Sequence, residues 1–295
     1  IVSIGSCFAE NMGEKLGYFK FINTVNPFGI IFNPVSIEKL ILRAINQIKF
    51  TEEDIFFHNE RWHCFEVHSD WSNPSKEALL NNLNDLLQLT KKQLVASTHI
   101  IITYGTSWVY CDKHSHSIVA NCHKVPQSQF DKEILSVSTI EQSIQNTIEI
   151  IRQVNTDATI LFTVSPVRHS KDGFVENQRS KAHLISAIHQ ILNLESQALK
   201  YFPSYEIMMD ELRDYRFYAE DMLHPSKIAI DYIWERFTET WISESVYAVM
   251  EEVNSIQKGL LHKPFHPDSE SHKHFSKKLH DKMERLQQQF PHIQF

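Results

Sequence analysis

Along the chain, short and wholly apolar runs alternate with longer stretches in which apolar residues recur every three or four positions. The segment Ile1-Val-Ser-Ile-Gly5 reads as a strand that breaks at Gly5-Ser6 and turns into a helix over residues 8–16. A second strand is predicted over residues 19–25, then a turn at Asn26-Pro-Phe-Gly29, then an amphipathic helix over residues 37–48 entered through Asn33-Pro-Val-Ser36. Residues 56–67 alternate loosely, as a small hairpin would. Leu79, Leu80, Leu83, Leu86, Leu87 and Leu94 mark a long helix, and His99–Tyr104 is a continuous apolar run, the pattern of a parallel strand buried on both faces.

That run ends at Tyr104-Gly-Thr-Ser107, and residues 108–125 then lose the helical period, which predicts a β-hairpin inserted beside the sheet. Further on come a helix over residues 139–154, a strand over Thr159–Val164, a helix over residues 176–199, a strand over residues 205–209, and a helix over Lys227–Trp241. Such strand–helix alternation implies right-handed crossovers and a doubly wound parallel α/β sheet. Ligands gather at the C-terminal ends of strands in these sheets. Ser6, Gly29, Gly105, Ser165 and the loop carrying Asp221 are all predicted to fall there. The α/β part spans residues 1–242, and residues 243–295 form a helical extension with a helix over residues 246–256. Within the extension Phe275, Leu279, Met283, Leu286 and Phe290 make an apolar stripe, suited to packing on the main domain or to a homo-oligomeric contact.

Composition narrows the class of partner. The net charge of −7 over 295 residues disfavours nucleic acid and anionic membrane surfaces. No apolar run has the length of a bilayer span. The four cysteines, Cys7, Cys64, Cys111 and Cys122, show no paired spacing, so reduced thiols and a cytoplasmic location are expected, with a Cys111–Cys122 bridge as the weaker alternative. The chain opens without Met inside a strand-like run, so upstream residues, a leader among them, are left open.

The chemistry concentrates at the two ends of the α/β pattern. Ser6 stands where a strand turns into a helix, beside free N–H groups that favour an oxyanion. Asp221-Met-Leu-His224-Pro-Ser226 supplies a carboxylate three residues before an imidazole, enough to orient a general base. With 13 Asp and 17 His in the chain, one Asp-x-x-His can arise by chance, and Ser6 alone could be a helix N-cap. Their order Ser…Asp…His and their predicted strand ends favour nucleophilic acyl chemistry. Cys7 is the intrinsically stronger nucleophile but would point elsewhere from the turn. Cys111, Asp112, His114, His116, Cys122 and His123 could ligate a metal only by converging, and a solvated hairpin tip explains them better, so no metal and no cofactor is expected. Arg168, His169, Asn177 and Arg179 flank the end of the Thr159–Val164 strand, with Arg168 the best candidate to clamp a polar or anionic substrate group.

Gly5-Ser-Cys-Phe-Ala9 resembles the signature of the GSCFA family. Asn26-Pro-Phe-Gly29, Tyr104-Gly-Thr-Ser-Trp-Val-Tyr110, Asn121-Cys-His-Lys124, Ser165-Pro-Val167 and Asp221-x-x-His224-Pro225 resemble its later blocks, over residues 1–240. That family is similar to the SGNH/GDSL hydrolases, which implies a three-layer α/β/α flavodoxin-like fold. By this resemblance Ser6 would be the nucleophile, His224 the base and Asp221 its orienter, and Gly29 would correspond to the oxyanion glycine of the second block. The chain departs where those hydrolases carry Gly-x-Asn, because the matching positions are Gly105-Thr106-Ser107. Asn121, in the Asn121-Cys-His123 turn, is the candidate replacement, with Thr106 and Ser107 nearer in sequence. The function expected is a serine hydrolase or acyltransferase on an ester, with an O-acetylated carbohydrate as the substrate the resemblance suggests. The rival is a binding module that keeps the pocket without a competent oxyanion hole.

Overall fold

The computed structural model describes residues 1–194 and 199–295. Its centre is a five-stranded parallel sheet of β1 (Val2–Gly5), β2 (Thr24–Val25), β5 (His99–Tyr104), β9 (Thr159–Val164) and β10 (Leu199–Phe202), in the order β10-β9-β5-β1-β2. Counted along these five strands alone the order is 2-1-3-4-5, so connections leave β1 and β5 in opposite directions. A crevice opens at such a switch point, outside the carboxyl ends of the strands. Ser6 follows β1 and Thr106 follows β5, one on each side of it.

One face of the sheet presents Val2, Ile4, Ile100, Ile102, Ile160 and Phe162, all buried. Four helices cover that face: α2 (Pro34–Asn46), α3 (Lys76–Ala96), α4 (Val137–Arg152) and α5 (Phe174–Leu194). Each does so through a 3.6-residue stripe, as Ile140, Ile144, Ile148 and Ile151 show on α4. Capping sets where these helices begin. Asn33, Ser75 and Ser136 accept the backbone N–H groups of Ser36, Ala78 and Thr139, and Pro34 opens α2 where its missing donor costs nothing. The result is the flanked parallel sheet of an α/β/α protein.

Beside this sheet lie two antiparallel elements, a hairpin of β3 (Phe56–His58) with β4 (Arg61–His63), and a three-stranded sheet ordered β7-β6-β8. The latter joins β6 (Trp108–Asp112), β7 (Ile118–Val119) and β8 (Phe130–Ile134). The inserted hairpin is thus larger than its sequence suggests. Its third strand, Phe-Asp-Lys-Glu-Ile, has three charged residues between its two apolar ends and shows no run.

Three other expectations differ from the structure. Residues 19–25 yield only the two-residue strand β2, because the closing turn of α1 (Cys7–Tyr18), with Lys20 at φ 64° and the Phe21 N–H on Leu16 O, takes up residues 19–21. The helix expected to reach residue 199 ends as α5 at Leu194, and Leu199 opens β10; residues 195–198 of that expectation lie outside the described residues. Residues 205–209 are helical, forming the short α6 (Ser204–Glu206) and a π-turn (Ile207–Glu211). Tyr205, Met208 and Leu212 are buried at spacings of three and four, so a helical period runs through a segment that reads as a strand by composition.

Chain contacts divide the molecule into two units, one of Ile1–Asn11 with Thr24–Ile233 and one of Met12–Asn23 with Trp234–Phe295. The helix α7 (Lys227–Trp241) has the bounds expected from sequence. In the second unit α8 (Tyr247–Leu260) packs on α9 (Glu270–Gln289) through Val253, Ile256 and Leu286, with Leu279, Met283 and Phe290 of the C-terminal stripe against them. Gly259 permits that approach, since a Cβ there would lie 2.7 Å from Leu279 Cδ1.

Candidate active site

Gly5 is the residue that lets β1 end as it does. Its φ of 151° and the position of β5 leave no room for a side chain, as a Cβ would sit 2.2 Å from the carbonyl oxygen of Thr103. Next in the chain, Ser6 donates its backbone N–H to that same oxygen at 3.1 Å, and α1 starts immediately after. Ser6 Oγ accepts the N–H of Phe8 at 3.2 Å, so it does cap α1. The cap and the nucleophilic reading coexist, because accepting an N–H leaves the hydroxyl proton free to be given away and favours the oxygen's charged form.

At the other end of the chain, Asp221 Oδ2 lies 2.6 Å from His224 Nδ1. Asp221 Oδ1 accepts the N–H groups of Leu223 (2.9 Å) and His224 (3.0 Å), which fixes the four-residue loop around one carboxylate. These hydrogen bonds, backbone first, hold the Asp221 carboxyl down at about 2. A carboxylate so fixed favours the Nδ1–H tautomer of His224, which leaves the Nε2 lone pair able to accept a proton. Among the described residues Nε2 has no hydrogen-bond partner.

Ser6 and His224 line one cavity of about 550 Å³, the size of a small-molecule site. Thr106, Asn121 and Arg168 line it as well, whereas Gly29, Gly105, Ser107 and His123 do not. The reasons are specific. Gly29 (φ 79°) gives its N–H to Asn26 O at 2.8 Å and admits His68, whose Cβ would lie 2.3 Å from a Cβ at Gly29. Gly105 gives its N–H to Phe32 O, and Phe32 packs where its side chain would be. Ser107 is fully buried on Ser180, donating its N–H to Ser180 Oγ at 2.8 Å. His123 is buried between Cys64 O (2.7 Å) and Ser69 Oγ (3.0 Å), and desolvation pushes its imidazole down to about 4, so it stays neutral.

Asn121 Oδ1 accepts the N–H of His123 at 2.8 Å and so holds a turn, as its residue type predicts. Its Nδ2 donors have no acceptor among the described residues, and the residue lines the cavity. The N–H of Ile30, another lining residue, is likewise without an acceptor there. Thr106 Oγ1 is shared between Ser180 Oγ (2.8 Å) and Trp108 N–H (3.1 Å).

Cys7 also lines the cavity, but burial, then Glu10, raises its thiol pKa, so the sulfur stays protonated. Asp112, of the metal-competent hairpin residues, accepts from Ser115 N–H and Oγ. Among the described residues no three His, Cys, Asp or Glu side chains group to hold a metal ion.

Two residues of the site's surroundings are unforeseen in their role. His169 lines the cavity beside Phe32 and is pushed down to about 3, by desolvation first and then by Lys181 and His224. Lys181 is completely buried and donates to Gly105 O (2.6 Å) and Ser165 O (2.7 Å), pinning the ends of β5 and β9. Desolvation lowers it to about 7. The signal for Lys181 is positional, because it shares a helical face with the buried Leu184, Ile188 and Ile191 of α5.

The sequence model of the GSCFA family matches residues 1–237, and that of the GSCFA domain protein, C-terminal domain, matches residues 253–295. No curated protein matches the chain. Among the described residues no helix is long and apolar enough to cross a membrane.

Proposed function

This chain belongs to the GSCFA family, and from that premise we propose that it is a serine hydrolase or acyltransferase acting on an ester through Ser6, His224 and Asp221. One observation carries the reading: Ser6 and His224 line the same cavity, and the other nitrogen of that imidazole is bound to Asp221 at 2.6 Å. Ser6 Oγ attacks the ester carbonyl carbon while its proton passes to His224 Nε2. The tetrahedral intermediate collapses, the alcohol leaves with the proton from His224, and an acyl-Ser6 ester remains. Water or another alcohol, deprotonated by His224, then takes the acyl group and restores Ser6. Asp221, ionised throughout, stabilises the imidazolium formed in each half. A small acyl group on a carbohydrate suits the cavity volume. The four free thiols fit a reducing, cytoplasmic setting.

A second reading, a binding module without turnover, has its own observation. The Gly29 N–H, expected at the oxyanion, is spent on Asn26 O, and the N–H of Ser6 itself is spent on Thr103 O. One missing donor costs about 3 kcal/mol of transition-state stabilisation. Ile30 N–H and Asn121 Nδ2 are among the donors of the cavity wall without an acceptor among the described residues, and the esterase reading assigns the oxyanion to them. Release of nitrophenolate from para-nitrophenyl acetate, with Ser6→Ala as the control, decides between the two. Turnover lost in Ser6→Ala supports the enzyme; no turnover in the wild type supports the module.

A further inference from the structure

The walls of the cavity carry a charge opposite to that of the whole protein. The chain has a net charge of −7, yet Lys132, Arg168 and Lys171 line the cavity and Asp172 is its one carboxylate among the lining residues. Asp172 is already paired with Lys132. Neither Arg168 nor Lys171 has a carboxylate partner among the described residues.

Arg168 is the better placed of the two. Its guanidinium lies 3.9 Å from the ring centroid of Tyr218 and 5.6 Å from that of Tyr215, so the plane is held without an anion. Its backbone N–H donates to Leu223 O at 3.1 Å, which ties it to the loop that carries His224. With Ser170 it also lines a second cavity of about 280 Å³, so the charge stands at the junction of two spaces. A planar, half-buried fork with no carboxylate partner among the described residues matches a carboxylate or phosphate. Trp108 and Tyr110 also line the first cavity, with Lys132 Nζ over their rings at 5.2 and 5.5 Å from the centroids. Aromatic faces with a few fixed polar groups are the usual lining for a flat, hydroxylated ring.

We propose that the cavity takes an anionic carbohydrate ester, its carboxylate or phosphate bound by Arg168 with Lys171 in support. This rests on the esterase reading of the same cavity and gives it a substrate class. Attack by Ser6 and loss of the sugar alcohol proceed as above, and the anion takes no part in bond making.

Acetate release from acetylated glucuronate, acetylated glucose phosphate and acetylated glucose tests it. The expected kcat/KM favours at least one anionic ester over the neutral one by 10- to 100-fold, roughly the size of a charge-assisted hydrogen-bonded contact. Which anion is preferred tells carboxylate from phosphate. Arg168→Met should bring the ratio of anionic to neutral turnover close to one, and Arg168→Lys should restore part of it. A merely structural role for Arg168 would lower all three rates together and leave the ratio alone. Calorimetric binding of acetylated glucuronate and acetylated glucose phosphate to Ser6→Ala, with and without Arg168→Met, gives a readout independent of turnover. Binding of either that is lost with Arg168→Met, with no turnover of any ester, would keep the anion site and remove the esterase. Turnover without charge preference, or binding of neither anionic ester to Ser6→Ala, would overturn the anion site.

Discussion

The two halves of the proposed catalytic pair are held in opposite ways. Ser6 is buried, and the backbone on either side of it belongs to the sheet and to α1. His224 sits in a loop with its side chain 45% exposed, and three hydrogen bonds to Asp221 orient it. The fold thus positions the nucleophile, while a single carboxylate positions the base. Damage to the first corner should appear as lost stability, and damage to the second as lost activity in a folded protein.

The largest effect expected after removal of Ser6 itself is that of Asp221→Asn. It keeps the size of the side chain but favours the wrong imidazole tautomer, and turnover should fall roughly a thousandfold or more. The melting temperature should fall little, since the loop is exposed. A folded variant with near-normal turnover would mean that Asp221 does not orient the base.

Gly5→Ala probes the other corner. A methyl group 2.2 Å from Thr103 O, at a φ that side chains avoid, forces β1 and β5 apart. A loss of about 3 kcal/mol, read by urea unfolding, is expected. Unchanged stability would show that the strand ends are not rigid, and the contrast between the two corners would dissolve.

A smaller effect should come from the oxyanion side. Asn121→Asp keeps the oxygen that holds the His123 turn and removes the Nδ2 donors. Asn121→Ala removes both. Turnover lowered at least about tenfold in both variants would assign the donor role. A loss confined to Asn121→Ala would leave Asn121 as a turn residue alone.

The smallest effect concerns pH. The Asp221 carboxyl is held near 2 in the folded chain, below its ordinary value of 3.8. Its contribution to loop order is therefore complete above the unfolded value and is lost as pH falls from there through about 2. Nuclear magnetic resonance of the His224 ring should show the Nδ1 contact persisting at pH 4 and lost below about 2. Loss already at pH 5 would contradict the strength of the contact.

The same division decided what could be read from sequence. Strands β5 and β9 have their expected bounds because a central parallel strand is a plain apolar run, and α7 does because Pro225-Ser226 announces it. The Asp221–His224 contact was legible because it depends on residues within four positions, and Ser6 was legible as a glycine break at a strand end, although the Thr103 contact that holds it is tertiary. The π-turn at residues 207–211 was hidden because its apolar composition suits a strand, and only burial reveals the helical period. Gly29 and Gly105 were placed at strand ends, but what their N–H groups bond to depends on Asn26 and Phe32. His169 and Lys181 act through tertiary burial, for which the local sequence offers at most a position on a helical face.

Labelling with a serine-directed fluorophosphonate, followed by mass mapping of the adduct, tests the role of Ser6 most directly. The expected result is a single phosphonyl adduct on Ser6, absent in Ser6→Ala and slowed in Asp221→Asn. An adduct that persists in Ser6→Ala, or a wild-type protein that several such probes fail to label, would contradict it.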